Sequence, residues 1–557
     1  MKKLVTDSDF AKRKWGEAKT LRNFVEPEWA EAARHCLPGQ YQGMRAAEAG
    51  PLATMGYGQR ETRQLSYDGT GRKHLPRAMA IMERMLTPRG QTWHKLETDD
   101  PSLNRQRRVQ EFYEEVTIQL FRQRNNSQAR FVSGISEAYA SILTFGNAAL
   151  SVRPRRITPA RPLPGFAYRT FPMRDVYWLV NEDGDRDIIF LSRWLNARQL
   201  SSAYPDGTMP EVVRRELDKQ GGPSETRYFQ VVEILCVNED MYEPRALDFR
   251  RHSWLMRPWL PEASAYLDEI KGMSSGSMIL PRHFTEPGDI YGSSPAIAAS
   301  PTMGGLSAMK RHLLKIAERR ADPPWLTYRS NIIVDTRPNA VTAGGMSAEG
   351  RPLVAPLGVA SQSDTRTTET IMADDRAEVG ETFYGKLFEL LDETREMTAR
   401  EVAERAGKEF ALVAPIMGRM MEELIDPMVT REVDIMVQEP RLADKLPDVP
   451  PELVEAQGEF KVVLTSPMAR AERMEDVQGF MQAVEAALNI AAQTGNPAYA
   501  EQFRYDQAIP DIARILNVPT VWLKTPEEME ADARQRAEQQ AVDTAIQAAP
   551  AVAGLAA

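Results

Sequence analysis

The stretch Tyr291–Leu326, YGSSPAIAASPTMGGLSAMKRHLLKIAERRADPPWL, decides the reading of this chain. It reads as one long helix. Ser293 and Ser294 offer side-chain oxygens to the first unpaired N–H groups, and Pro295 suits a first helical turn. Asp322-Pro323-Pro324 stops it. Leu306, Met309, Leu313 and Ile316 recur at three- and four-residue steps and form one apolar stripe. Lys310, Arg311, Lys315, Arg319 and Arg320 leave much of the remaining surface basic. At 1.5 Å per residue, some 25 residues span roughly 40 Å.

Upstream, residues 1–50 read as helical, with Trp15, Leu21, Val25, Trp29 and Ala33 at helical steps and Pro38-Gly39 as the stop. Helices are predicted over His74–Leu86, Pro101–Phe121 and Phe131–Phe145, the last closed by Gly146-Asn147 before a strand at Ala148–Val152. From 152 to 290 the pattern turns to β. Tyr177–Val180 and Ile188–Leu191 flank a turn-rich loop and predict a hairpin. Tyr228–Val237 and the region His252–Trp259 add strands, and Gly272–Gly276 reads as a surface loop.

Downstream, a Pro/Gly-punctuated insert runs from Asp322 to about Asp364, with short strands predicted at Trp325–Tyr328 and Ile332–Val334. Helical pattern resumes near Thr368 and continues to Val437, segmented by Pro415 and Pro427. A strand at Phe460–Leu464 and a helix from Ala469 to Thr494 follow. Thr525-Pro526-Glu527-Glu528 marks a last helix start, beyond which an Ala/Gln/Glu-rich tail reads as disordered.

With 557 residues, 42% hydrophobic and 26% charged, the chain can bury a sizeable core. A mean hydropathy of -0.43 points to much solvated or inter-subunit surface. Two cysteines, Cys36 and Cys236, exclude a disulfide framework and suit a reducing compartment as buried small hydrophobes. No secretory pattern follows Met1-Lys2-Lys3 and no run of 18 apolar residues occurs, so a soluble protein on the cytoplasmic side, with no stable membrane association, is expected. A net charge of -9 argues against a tight, sequence-independent nucleic-acid binder.

Signs of catalysis are weak. Asp183, Asp185 and Asp187 alternate like calcium ligands, but counting from Asp183 gives Ile188 and Trp194 where a calcium loop needs Gly and Glu; a solvated turn is the plainer reading. Met55–Gly58 and Gly344-Gly345 make no phosphate-binding fingerprint. The six histidines, His35, His74, His94, His252, His283 and His312, show no metal-ligand spacing, and no nucleophile motif stands out. Neither an enzyme nor a cofactor is expected.

Several sequence words share one look: YGSSPA…MKRHLLKIAERRADPPWL, Met397–Arg405, Ala414–Arg419, Glu423–Pro427, Leu86–Trp93, Phe145–Leu150, Thr465–Arg470 and Asn517–Trp522. Taken in chain order and covering about residues 60–540, they resemble the portal (head-to-tail connecting) proteins of short-tailed, podovirus-type bacteriophages. The resemblance implies a mostly helical α+β subunit that assembles into a ring, usually of about twelve copies, around a channel at one capsid vertex of the virion. Mapped by order, residues 1–294 are the wing and 295–321 stem helix 1. Residues 322–367 are the clip, 368–394 stem helix 2 and the tunnel-loop region, 395–464 the long wing helix and its return strand, and 465–557 the crown and flexible tail.

The same resemblance makes Lys310, Arg311, Lys315, Arg319, Arg320, Asp392, Glu393, Arg395 and Glu396 candidates for the DNA channel. A solvated or inter-subunit helix face is the competing reading of the basic run, and an ordinary charged helix face that of the acidic one. Trp325, Tyr328, Arg329 and Arg337 become candidates for docking the terminase and then the tail adaptor. Leu306, Met309, Leu313 and Ile316 become stem packing between subunits. Implied partners are the major capsid protein, the scaffolding protein, tail tube proteins and double-stranded DNA read without sequence preference, with assembly in the host cytoplasm. The alternative is a helical capsid scaffold or adaptor without a channel, which does not explain a Pro-bounded β insert between two long helices. A DNA-processing nuclease lacks its motifs.

Overall fold

The computed structural model describes residues 2–40, 66–356, 365–387 and 413–515, with short gaps inside them, and scattered residues between 518 and 539. In chain order its main helices are α1 (Ser8–Arg22), α2 (Glu26–Cys36), α3 (Thr70–Leu86), α4 (Arg107–Arg124), α5 (Phe131–Phe145), α6 (Pro295–Ala321), α7 (Thr365–Thr382), α8 (Asp426–Gln438), α9 (Pro467–Thr494) and α10 (Tyr505–Ile515). The strands are β1 (His94–Thr98), β2 (Ala149–Pro154), β3 (Phe166–Phe171), β4 (Val176–Leu179), β5 (Ile188–Asn196), β6 (Tyr228–Val237), β7 (Trp254–Leu260), β8 (Ala265–Tyr266), β9 (Lys271–Met273), β10 (Met278–Ile279), β11 (Trp325–Thr327), β12 (Val354–Pro356) and β13 (Phe460–Leu464). The fold is mixed α+β. The chain divides into two units, residues 1–89 with 120–445, and residues 90–119 with 446–557.

The larger unit is built on an antiparallel sheet ordered β4-β5-β6-β7-β8, with β9 paired to β7. Successive side chains of a strand point to opposite faces, and here both faces are buried. Trp178, Ile189 and Leu235 point to one side, under Trp29 of α2, Phe145 of α5 and Tyr291. Tyr177, Phe190 and Ile234 point to the other, under Trp15 and Ala18 of α1. Burial on both faces explains why β5 and β6 read as continuous apolar runs rather than alternating ones.

A smaller sheet, ordered β10-β2-β3, lies beside α5. There Gly134 brings the helix so close that a Cβ would sit 3.2 Å from that of Tyr168. In the smaller unit β1 and β13 pair antiparallel, His94 opposite Leu464 and Thr98 opposite Phe460, and Phe480 of α9 meets Phe503 edge-on at 5.6 Å.

Several boundaries differ from the sequence reading. The N-terminal helical stretch is cut at Asp7, whose carboxylate caps α1, and again after Arg22. It ends at Cys36, and residues 38–40 are helical once more rather than a stop. Helix α3 starts at Thr70, ahead of His74, and α4 starts at Arg107, after a short 3-10 turn at Leu103–Arg105. Gly272 and Met273 lie in β9, with Met273 in the core, instead of a surface loop. Ile332–Val334 forms no strand; β11 pairs instead with β12, Trp325 opposite Pro356. β-branched composition favours a strand only where a partner's backbone is in reach. The predicted helix start at Thr525–Glu527 lies outside the described residues.

The helical run expected from Thr368 is broken at residues 383–384, where Tyr384 takes a left-handed φ of 62°. Pro427 sits in the first turn of α8, directly after a π-helical turn at Met421–Ile425. That wider turn accommodates the carbonyl a proline ring would otherwise crowd, so the helix passes the proline without ending.

Candidate functional site

Two words of the sequence meet at the root of α6. Gly146 ends α5 with a φ of 72°, and a Cβ there would lie 2.2 Å from the Gly292 carbonyl oxygen. Asn147, fully buried, donates to the Gly292 carbonyl at 3.1 Å and accepts from the Gly292 N–H at 2.9 Å. Ser294 donates to the Thr144 carbonyl at 2.8 Å and accepts from the Ile297 N–H at 3.0 Å, capping α6. Tyr291 packs at 4.2 Å on Trp178, the rings tilted by 49°, and edge-on to Trp29 at 5.3 Å. The C-terminus of one helix thus fixes the N-terminus of the next.

Only the first half of α6 is embedded. Ala296, Ala299, Met303 and Leu306 are buried, and no side chain from Ala308 to Arg319 is. Helix α7 runs along α6 and α3, with Met372, Val379 and, just past its end, Phe383 turned inward. Two polar links hold the pair to the segment before α3. Arg376 donates to Asp68 at 2.9 Å, and the Tyr67 N–H donates to Ser307 at 3.0 Å. Burial pushes the Asp68 carboxyl up, but the bonds from Thr70 and Arg376 outweigh it and hold it below the usual carboxylate range. Between α6 and α7 lies the β11–β12 hairpin, whose Trp325, Leu326 and Tyr328 are exposed.

The basic residues of α6 separate on this scaffold. Arg311, Lys315 and Arg319 are exposed and Lys310 is half-buried; Arg320 lies in the last turn. Among the described residues none of the first four forms an ion pair. Arg311 and Lys315, with Arg34, His312, Tyr67 and Ser307, line a recess of about 350 Å³, where Arg34 is paired with Glu31 at 3.4 Å. His35 lines it too, and burial holds its imidazole below the ordinary histidine value. Arg34 and Tyr67 of this recess are not legible from periodicity on α6, because they come from chain more than 200 residues earlier.

In the apolar stripe, Leu306 is fully buried inside the subunit, so it belongs to the subunit's own core and not to an exposed packing surface. Met309, Leu313 and Ile316 are half-buried. On the hairpin insert, Arg337 is exposed and paired with Asp335, which it holds below the ordinary carboxylate range. Arg329, and Asp392, Glu393, Arg395 and Glu396, lie outside the described residues.

Asp183 and Asp185 donate their backbone N–H groups to the Asn181 side chain at 3.0 and 2.8 Å, a turn built around Gly184 rather than an ion cage. Among the described residues no group of three His, Cys, Asp or Glu is placed to hold a metal, and no helix is long and apolar enough to cross a membrane. Cys36 and Cys236 are buried, and burial pushes both thiols up to about 12.

The larger unit is thus a mixed α+β body with an anchored helix pair, α6 and α7, joined through a hairpin. The chain belongs to the family described as bacteriophage head to tail connecting protein, whose model matches residues 8–523. It is 24% identical over 546 residues to a probable portal protein of Bordetella phage BPP-1, covering 95% of this chain and 90% of that one. It is 21% identical over 462 residues to the portal protein of Salmonella phage epsilon15, covering 82% and 79%. Among solved structures it is similar to a chain of the virion of a native gene transfer agent particle, at 13% identity with a TM-score of 0.32, covering 81% and 90%. The role of this chain is that of a portal, joining a phage head to its tail.

Proposed function

We propose that the chain closes into a ring of about twelve copies around a channel, at one vertex of the capsid, through which the genome is packaged, retained and ejected. Residues 1–294 and 395–464 form the wing, 295–321 and 368–394 the stem, 322–367 the clip, and 465–557 the crown and tail. The observation that carries this reading is α6, rooted in the body over its first half and bare over its second. A helix with half-covered Met309, Leu313 and Ile316 finishes covering them against neighbours, and a heterologous contact that closes by rotation makes a ring.

Asp392, Glu393, Arg395 and Glu396 then belong to the tunnel loop, and Lys310 and Arg320 to the channel side of the stem. The clip meets the terminase during packaging and the tail adaptor afterwards, through Trp325, Tyr328, Arg329 and Arg337. The wing and crown meet the major capsid and scaffolding proteins, tail tube proteins follow beyond the adaptor, and the particle assembles in the host cytoplasm. The work is mechanical.

Electron microscopy of the purified chain with particle-mass measurement tests it. Rings with a central hole are expected. Monomers or solid oligomers at every concentration, with capsid partners present, would overturn it.

A further inference from the structure

The exposed flanks of α6 and α7 carry opposite charge. On α6, Ala308, Arg311, Lys315 and Arg319 recur at steps of three and four, so they share one stripe on the side opposite Leu306, Met309 and Leu313. All four are exposed. On α7, Asp374, Glu378 and Glu381 recur in the same way, opposite the inward Met372, Val379 and Phe383. These three are exposed too. The basic stripe is thus exposed on α6 and the acidic stripe on α7, with Glu378 at the edge that reaches α6. Among the described residues no ion pair joins the two helices within the subunit; the polar contact between them is Thr302 donating to Glu378 at 3.5 Å. Glu381 pairs with Lys386, an exposed pair at 2.9 Å.

A single surface of this kind is a solvated helix face. Two exposed stripes of opposite sign on two helices of one subunit have a further property: each is complementary to the other on a second copy. From this we infer that the basic stripe of α6 in one copy docks on the acidic stripe of α7 in the next. The recess lined by Tyr67, Ser307, Arg311, His312 and Lys315, beside the Arg34–Glu31 pair at 3.4 Å, receives the neighbour's carboxylates. The contact is head-to-tail, because each copy offers the basic stripe to one neighbour and the acidic stripe to the other, and such a contact propagates until it closes. It therefore assigns Arg311, Lys315 and Arg319 to the joint between copies rather than to the channel wall. Charge here sets register and rejects wrong pairings, since like charges face each other in any flipped arrangement. The inference rests on the ring reading above and adds which side chains make the joint.

Charge reversal in the full chain tests it. Arg311→Glu with Lys315→Glu, and separately Asp374→Lys with Glu378→Lys, should each leave a soluble subunit with unchanged circular dichroism. Each should raise the concentration needed for half-assembly at least about tenfold. Mixing the two variants should restore rings of alternating copies, because every joint then brings opposite charges together again, and so should placing all four substitutions in one chain. Normal rings from both variants alone would overturn the inference, and normal rings that fail only in DNA packaging would return the basic stripe to the channel wall. Absence of rescue on mixing would overturn it as well. Wild-type protein that never forms rings would instead sink the ring reading itself.

Discussion

Asn147 shows how far a single side chain reaches in this fold. It is a buried amide that exchanges two hydrogen bonds with Gly292 and so ties the end of α5 to the start of α6. The triad Arg124, Glu432 and Tyr168 does the same for α8. Arg124 Nε donates to Glu432 at 3.2 Å and the Tyr168 hydroxyl donates to the same carboxylate at 2.5 Å, with both charges fully buried. Burial disfavours the guanidinium charge, but Glu432 and Tyr168 more than offset it and hold the Arg124 pKa above its ordinary value. Removing one partner strands the other, so Glu432→Leu is expected to cost about 3–5 kcal/mol in urea denaturation. The double variant Arg124→Met/Glu432→Leu should cost much less than the single one, and equal losses would show that packing, not the ion pair, is at stake.

His283 supplies a pH signature at the same scale. Burial, then the nearby Arg419, lowers its imidazole to about 4, and Tyr384 meets its Nε2 at 2.6 Å. The unfolded chain takes up the proton near pH 6.5 and the folded one only near 4. Stability is therefore complete above about 6.5 and falls as pH drops toward 4, by about 3 kcal/mol over that window. Asp175, raised by burial to about 6, works in the opposite direction, its contribution falling as pH rises toward 6. The two partly cancel in the wild type, so the measurement is a difference. His283→Gln should remove the acid-side loss between pH 6.5 and 4, and an unchanged slope would acquit His283.

At the scale of elements, what the sequence reveals follows from how local its cause is. Helix α5 is readable from Phe131 to Phe145, because its apolar spacing and Gly146 stop lie within one stretch. Strand β6 is readable from Tyr228 to Val237 for the same reason. The ladder partner of Trp325 is not, since Pro356 lies across an intervening loop whose Ile332–Val334 competes on composition alone. Nor is the Arg124–Glu432 pair, which joins residues 308 apart. At the candidate site the basic stripe on α6 is visible as a pattern, whereas Arg34 and Tyr67 beside it come from the packing of distant chain.

The exposed half of α6 gives the prediction at this scale. Leu313 is half-buried, so Leu313→Asp is expected to leave a soluble subunit with near-native circular dichroism but to prevent assembly into rings. Size-exclusion chromatography with mass measurement decides it, and normal rings would mean that Leu313 does not line a contact between copies.

At the scale of the molecule, the hairpin insert exposes several large apolar side chains. Its Tyr328 side chain is 81% exposed although its backbone N–H is fixed to the Leu353 carbonyl at 2.9 Å. Ile333 is 86% exposed, Val341 89% and Met346 65%. Large exposed apolar patches are a common mark of interaction surfaces, which is why the insert is the place to test for docking. Aromatic anchors concentrate binding energy, so losing one from a desolvated centre weakens a complex by about 2 kcal/mol or more, some thirtyfold.

If the clip meets the packaging motor and later the tail, Trp325→Ser with Tyr328→Ser should leave assembly of the subunit intact while lowering affinity for the terminase and for the tail adaptor alike. One surface would then serve two partners in succession, which requires that each compete with the other. Binding of purified terminase to wild-type and variant assemblies, repeated with tail adaptor as competitor, separates the outcomes. Loss of both partners together supports a shared docking face. Loss of one alone would divide the hairpin into two surfaces, and loss of assembly itself would place these aromatics between copies of the chain.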